Sequence, residues 1–249
     1  MNKYIIKFVI LIIVIFQSPL GYAKDFIAEV ARANDLYAKN KYQEAADTYE
    51  SIRKKGLING YLYYNLGNTY IRLGKTGPAI LNYIRAYNFI PRDENLQANL
   101  NYAIQQTQDK IPLPDQGKIL TLFFWVNDLS LGELIKLTMI INLLFWLILI
   151  AWFYYRSNTF KLFRNLFLLV LFFSISSLFI KLEAQSNSIT GVIMTKKVSV
   201  KSSHDLTNKT LFELHEGGLV KVINKHKNWY EIRLNENQKG WVPMNSLGT

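Results

Sequence analysis

Cysteine is absent from all 249 residues. Its absence excludes a disulfide framework, a thiolate metal site and a cysteine nucleophile. Histidine is nearly as scarce: the chain has three, His204, His215 and His226. They fall near loops or strand ends without ligand-like spacing, so no metal site is expected. Charge is thin, at 19% of residues, and the net charge of +11 forms no dense basic stripe. The largest runs are Arg53-Lys54-Lys55 and Lys196-Lys197. A nucleic-acid binder concentrates its charge on one face, so the sequence argues for a solvated basic surface instead. Apolar residues, by contrast, make up 50% of the chain. The densest form three blocks, Tyr4–Phe16, Leu137–Tyr155 and Leu166–Ile180, interrupted by a single charge, Lys7. That layout excludes a single soluble globule and a disordered chain.

Residues 1–23 have the form of a secretory signal peptide. Lys3 and Lys7 give a positive start, Phe8–Phe16 is an unbroken apolar core, and Gly21-Tyr22-Ala23 supplies a cleavage site. The core is about half of the ~20 residues a spanning helix needs, which favours cleavage over anchoring. Export places the following segment outside the cytoplasm.

Residues 26–59 and 60–93 align without gaps at a 34-residue offset. Small residues recur at Ala33 and Gly67 and at Ala45 and Ala79; an aromatic recurs at Tyr49 and Tyr83. The second unit adds Tyr63, Leu66, Tyr70, Ala86 and Pro91. The pattern resembles the tetratricopeptide repeat (TPR), a pair of antiparallel helices per unit. Small side chains let two helices cross closely, and large ones fill the space beside the crossing. Residues 94–108 then read as a capping helix with one apolar stripe, Leu96, Leu100, Ala103 and Ile104, and a polar back. The expected TPR domain is 24–110.

The resemblance implies a groove lined from the first helix of each repeat. It selects Asn34, Tyr37, Tyr64, Asn65, Asn68 and Arg72 as protein-binding residues. In the carboxylate-clamp type of TPR, basic residues stand where this chain has Val30, Asn95 and Asn99. Recognition of a free C-terminal carboxylate is therefore not expected. Asparagine and tyrosine in a groove still suit a peptide backbone. Packing between helices is the competing role for the tyrosines.

Residues 111–130 read as a linker and an interfacial segment: Pro112, Pro114 and Gly117 break the helical pattern, and ILTLFFWV (119–126) is too short to span. Transmembrane helices are expected over 134–155 and 165–182. The loop between them, 156–164, carries Arg156, Lys161 and Arg164 and no acidic residue, which assigns it to the cytoplasm. Together with the signal peptide, this predicts an inner-membrane protein of two spans with both flanking segments in the periplasm.

Residues 189–249 change to short alternating runs: VSVK from Val198, LFEL from Leu211, VKVI from Val220, WYEIRL from Trp229 and GWVP from Gly240. Five short strands with Gly- and Asn-rich turns predict a small all-β barrel. The stretches VSVKSS, LHEGGLVKV, WYEIRL and GWVP resemble a bacterial SH3-like domain. Trp229, Tyr230 and Pro243 are candidates for a peptide groove on it. Trp241 is expected to pack the barrel's core, with Trp229 more exposed.

The whole order (signal peptide, short TPR array, two spans around a basic loop, SH3-like barrel) resembles BatE-type proteins of the bacterial Bat aerotolerance operon. The resemblance implies a membrane-bound scaffold that works beside other Bat membrane proteins and a MoxR-type ATPase in oxidative or envelope stress; no cofactor is expected. A wall-binding sensor that uses the barrel is the alternative. A cell-wall hydrolase would need a nucleophile–base pair or a metal cluster; the chain offers no cysteine, histidines only in the barrel, and no room for a catalytic domain.

Overall fold

A computed structural model describes residues 23–112, 123–187, 190–205 and 207–249. Nearly all of the expected signal peptide and most of the linker lie outside the described residues.

The N-terminal unit is one helical hairpin, α1 (Ala23–Ala38) and α2 (Tyr42–Lys54). Ala33 and Ala45 have no exposed surface, and Tyr49 lies buried beside them. The Tyr49 hydroxyl donates to the Oδ1 of Asn34. Asn40 turns the chain between the helices with φ +59°, a left-handed conformation that asparagine tolerates.

The second unit opens with a hairpin of the same pattern, α3 (Gly60–Arg72) and α4 (Thr76–Tyr87). Its parts recur 34 residues on. Gly74 takes the left-handed turn (φ +69°) that Asn40 takes in the first hairpin. Tyr83 donates to Asn68 Oδ1 at 2.7 Å, as Tyr49 does to Asn34. A Cβ on Gly67 would sit 2.6 Å from the Tyr83 ring, so this crossing is too close for any larger residue. Asn59 caps α3 by accepting from the Leu62 N–H, and Asp93 caps α5 (Glu94–Gln106) by accepting from Leu96. α5 lays Leu96, Leu100, Ala103 and Ile104 against α4 and leaves its polar side outward.

A short helix, α6 (Phe124–Asp128), precedes two long ones, α7 (Leu131–Tyr155) and α8 (Asn158–Asn187). Ser130 and Glu133 close a capping box on α7. Both long helices are long and apolar enough to cross a membrane. They pack against each other, with Thr138 and Ser174 hydrogen-bonded between them, and leave most of their apolar side chains exposed. α6 folds back on the pair: Val126 and Leu134 are buried with Leu178 and Ile180 against them, Trp125 Nε1 donates to Ser177 and Lys181 Nζ to the Val126 carbonyl. The expected loop 156–164 is corrected to a turn of Arg156 and Ser157 alone. No glycine or proline interrupts residues 158–164, and they form the first two turns of α8.

The C-terminal segment is an antiparallel sheet of seven strands, where five were expected. They are β1 (Thr190–Ile193), β2 (Lys197–Lys201), β3 (Thr210–His215), β4 (Leu219–His226), β5 (Trp229–Asn235), β6 (Gln238–Pro243) and β7 (Leu247–Gly248). Their order is β3-β2-β6-β5-β4-β1-β7. The inner face holds Ile193, Val198, Val200, Leu214, Val220, Ile232, Val242 and Leu247. The two unexpected strands are short and join each other: β1 pairs with both β4 and β7.

The barrel does not stand apart from the helices of its unit. Val192 of β1 and Leu219 of β4 are buried in one apolar cluster with Ile80, Leu81 and Ile104. The β3–β4 turn adds polar ties. Glu216 Oε1 accepts from the Gly77 N–H at 3.0 Å, and Asp109 Oδ2 accepts from the His215 N–H at 2.7 Å. Arg85 donates to the Thr249 carbonyl.

Candidate functional site

Strand periodicity divides the barrel's side chains into an inner and an outer set. In β6, Gly240 and Val242 are buried while Trp241 and Pro243 are only half-buried. Register then assembles the outer set into two rows. In one, Lys201, Trp241, Glu231 and Asn224 lie side by side across β2, β6, β5 and β4. In the next, Pro243, Trp229 and His226 are cross-strand neighbours.

The β2–β3 loop brings His204 onto this face. Its ring lies 4.3 Å from that of His226 and 5.5 Å, edge-on, from Trp241. His226 meets Trp241 edge-on at 6.4 Å. The result is a platform of one indole flanked by two imidazoles, with a second indole and a proline in the adjoining row. Lys201 and Glu231 flank Trp241 with opposite charges. Flat aromatic surface bordered by hydrogen-bonding groups suits an extended peptide.

Two expectations are corrected here. Trp241 is not core: its neighbour Val242 takes the inward position, and alternation forces the indole outward. Tyr230 does not join Trp229 and Pro243. It is the register partner of Val242 and packs against the inner cluster, on the opposite side of the sheet. His204, His226 and Trp241 belong to the face and were not among the residues expected there. The period-two alternation around Val242 carries the signal for Trp241; the loop that delivers His204 carries none.

The helical residues fall differently. Asn34 and Tyr37 lie on α1. Asn34 accepts from Tyr49, and Tyr37 packs edge-on to Tyr42 at 5.3 Å. On α3, Asn68 Oδ1 accepts from both Tyr83 and Asn99, and the Tyr64 hydroxyl accepts from Asn99 at 3.1 Å. Asn68 and Tyr64 are thus joined to α5 through Asn99. Asn65 is half-buried and its carbonyl accepts from Thr69, whereas Arg72 is exposed. The side chains of Asn34 and Asn68, expected to receive a ligand, therefore accept hydrogen bonds from other helices.

Seven short antiparallel strands closing on a small apolar interior define an SH3-like barrel. A family profile described as a variant SH3 domain matches residues 198–248. The match begins at β2, so β1 and its contacts with the helices fall outside it. A search of curated proteins found none that matches the chain.

Proposed function

We propose that the chain is a non-enzymatic, membrane-anchored adaptor whose principal ligand surface is the outer face of the barrel. The observation that carries this reading is the grouping of Trp229, Trp241 and Pro243, half-buried, on the side opposite the core. SH3-like domains generally bind proteins or peptides, and an aromatic, proline-bearing face fits an extended segment.

The anchor in this reading is the α7–α8 hairpin, set in a bacterial inner membrane. α6 packs near the open end of the hairpin, and Arg92 pairs with Glu133 there. The helices of the second unit and the barrel are bonded to each other, although the hairpin separates them in sequence. Two spans return the chain to the side it left, which supports both soluble parts lying on one side. The signal-peptide form of residues 1–23 and the basic tip of the hairpin favour the periplasm.

The recurring turn, cap and Tyr–Asn hydrogen bond support reading the helical hairpins as TPR units. They bind protein partners through exposed polar positions such as Arg72, within a Bat-type aerotolerance or envelope-stress complex. A benzophenone amino acid placed at Pro243 and illuminated in cells tests the assignment. Covalent protein adducts are the expected result. Adducts with wall material instead would favour the second reading, a wall-binding sensor, which the same aromatic face also supports.

A further inference from the structure

Between Glu133 and Glu183 the sequence has no acidic residue, yet three cations gather at the closed end of the α7–α8 hairpin: Arg156, Lys161 and Arg164. Arg156 ends α7 in the left-handed conformation, φ +49°, with its N–H donating to the Trp152 carbonyl. That turn directs the chain into α8 and brings Arg164 back to the same indole. The Arg164 guanidinium lies 4.2 Å from the Trp152 ring centroid and the Arg156 guanidinium 5.8 Å from it. Arg156 also lies 5.0 Å from the Phe153 ring.

Two guanidinium groups on one ring stand within about a Debye length, roughly 10 Å, so they repel. Among the described residues no carboxylate pairs with either guanidinium, and none lies between Glu133 and Glu183 in the sequence. Their hydrogen bonds go to neutral oxygens, the Phe153 carbonyl and the Asn165 side chain. Trp152, Tyr154 and Tyr155 mark this end as an interfacial belt, the depth at which lipid phosphates lie. A planar guanidinium presents paired N–H donors that match a phosphate.

We propose that the hairpin tip is a binding site for the phosphate of an anionic phospholipid headgroup, held by Arg156 and Arg164 on Trp152 with Lys161 beside them. The proposal rests on the reading of α7 and α8 as membrane spans. It adds to that reading a lipid preference that spanning alone does not require.

The test uses the full chain reconstituted into phosphatidylcholine vesicles with a minor share of phosphatidylglycerol. Spin-labelled forms of the two lipids report how many of each the protein immobilises. The expected result is a preference for phosphatidylglycerol that falls about fivefold for each cation removed. The variants Arg156→Gln and Arg164→Gln carry the effect, and Lys136→Gln, near the other end of α7, leaves the preference unchanged. Sodium phosphate at the ionic strength of the chloride buffer should not displace the lipid; if it does, the tip binds free anions and the proposal is wrong. Equal immobilisation of both lipids by the parent chain, or an equal loss in Lys136→Gln, also overturns it. Protein that fails to float with the vesicles contradicts the membrane reading itself, and with it this site. Protein that floats without preference contradicts only the site.

Discussion

Asp109 holds His215 at two points. One carboxylate oxygen accepts from the His215 backbone N–H at 2.7 Å, and the other lies 2.8 Å from the ring Nδ1. The residues are 106 apart in sequence, one just beyond α5 and one at the end of β3. The turn that follows is pressed into the helices: a Cβ on Gly217, which has φ +84°, would lie 2.5 Å from the Thr107 side chain. The barrel therefore uses its β3–β4 turn and β1 to cover α4 and α5.

This seam predicts that the second unit melts as one body. Asp109→Ala strands a backbone N–H and should lower stability by about 1–3 kcal/mol. Far-ultraviolet circular dichroism follows the helices, and the fluorescence of Trp229 and Trp241, read with Trp125, Trp146 and Trp152 replaced by phenylalanine, follows the barrel. The two curves should shift together in the purified chain; a barrel transition that moves while the helical one stays would show that the seam is weak.

Within the barrel, inner and outer residues should respond oppositely. Ile232 has no exposed surface, and Ile232→Ala should cost about 2–5 kcal/mol. Trp241→Ala and Trp229→Ala should leave the melting temperature nearly unchanged and reduce crosslinking from Pro243. An unfolded Trp241→Ala variant would return the indole to the core.

In the α3–α4 hairpin, Gly67 faces the Tyr83 ring with no room for a Cβ. Gly67→Ala should destabilise by about 1–3 kcal/mol through overpacking. Asn68→Ala should also destabilise, by a similar amount, because the buried Tyr83 hydroxyl and Asn99 both lose an acceptor. Thermal melts of each variant check this. A neutral Asn68→Ala that instead weakens partner capture would restore Asn68 to a ligand-binding role.

The sequence carried the helical hairpins well, because close helix crossings demand small residues, and Ala33, Ala45, Gly67 and Ala79 recur at fixed spacing. It carried the middle strands of the barrel through alternation and its turns through glycine and asparagine. β1 and β7 left little trace: four and two residues hold no periodicity, and their pairing is decided by Leu247 closing against Gly191 and by Val192 entering the helical core. The position of Trp241 was legible in principle, since Val242 is the better core residue and its neighbour must point away. Asp109 and His215 were not legible together. Nothing local links two polar residues so far apart until the fold brings them into contact. Likewise, residues 156–164 read as a loop from their charge, whereas their helix-compatible backbone let α8 begin at Asn158.

The proposed hairpin anchor puts both soluble parts on its outer side. The absence of native cysteine allows a direct measurement. Single cysteines at Gln108, Thr159 and Asn245 are treated in spheroplasts with a maleimide that cannot cross membranes. Gln108→Cys and Asn245→Cys should label in intact spheroplasts, and Thr159→Cys only after the membrane is opened. Labelling of Thr159→Cys in intact spheroplasts, or protection of either of the other two, would contradict the account.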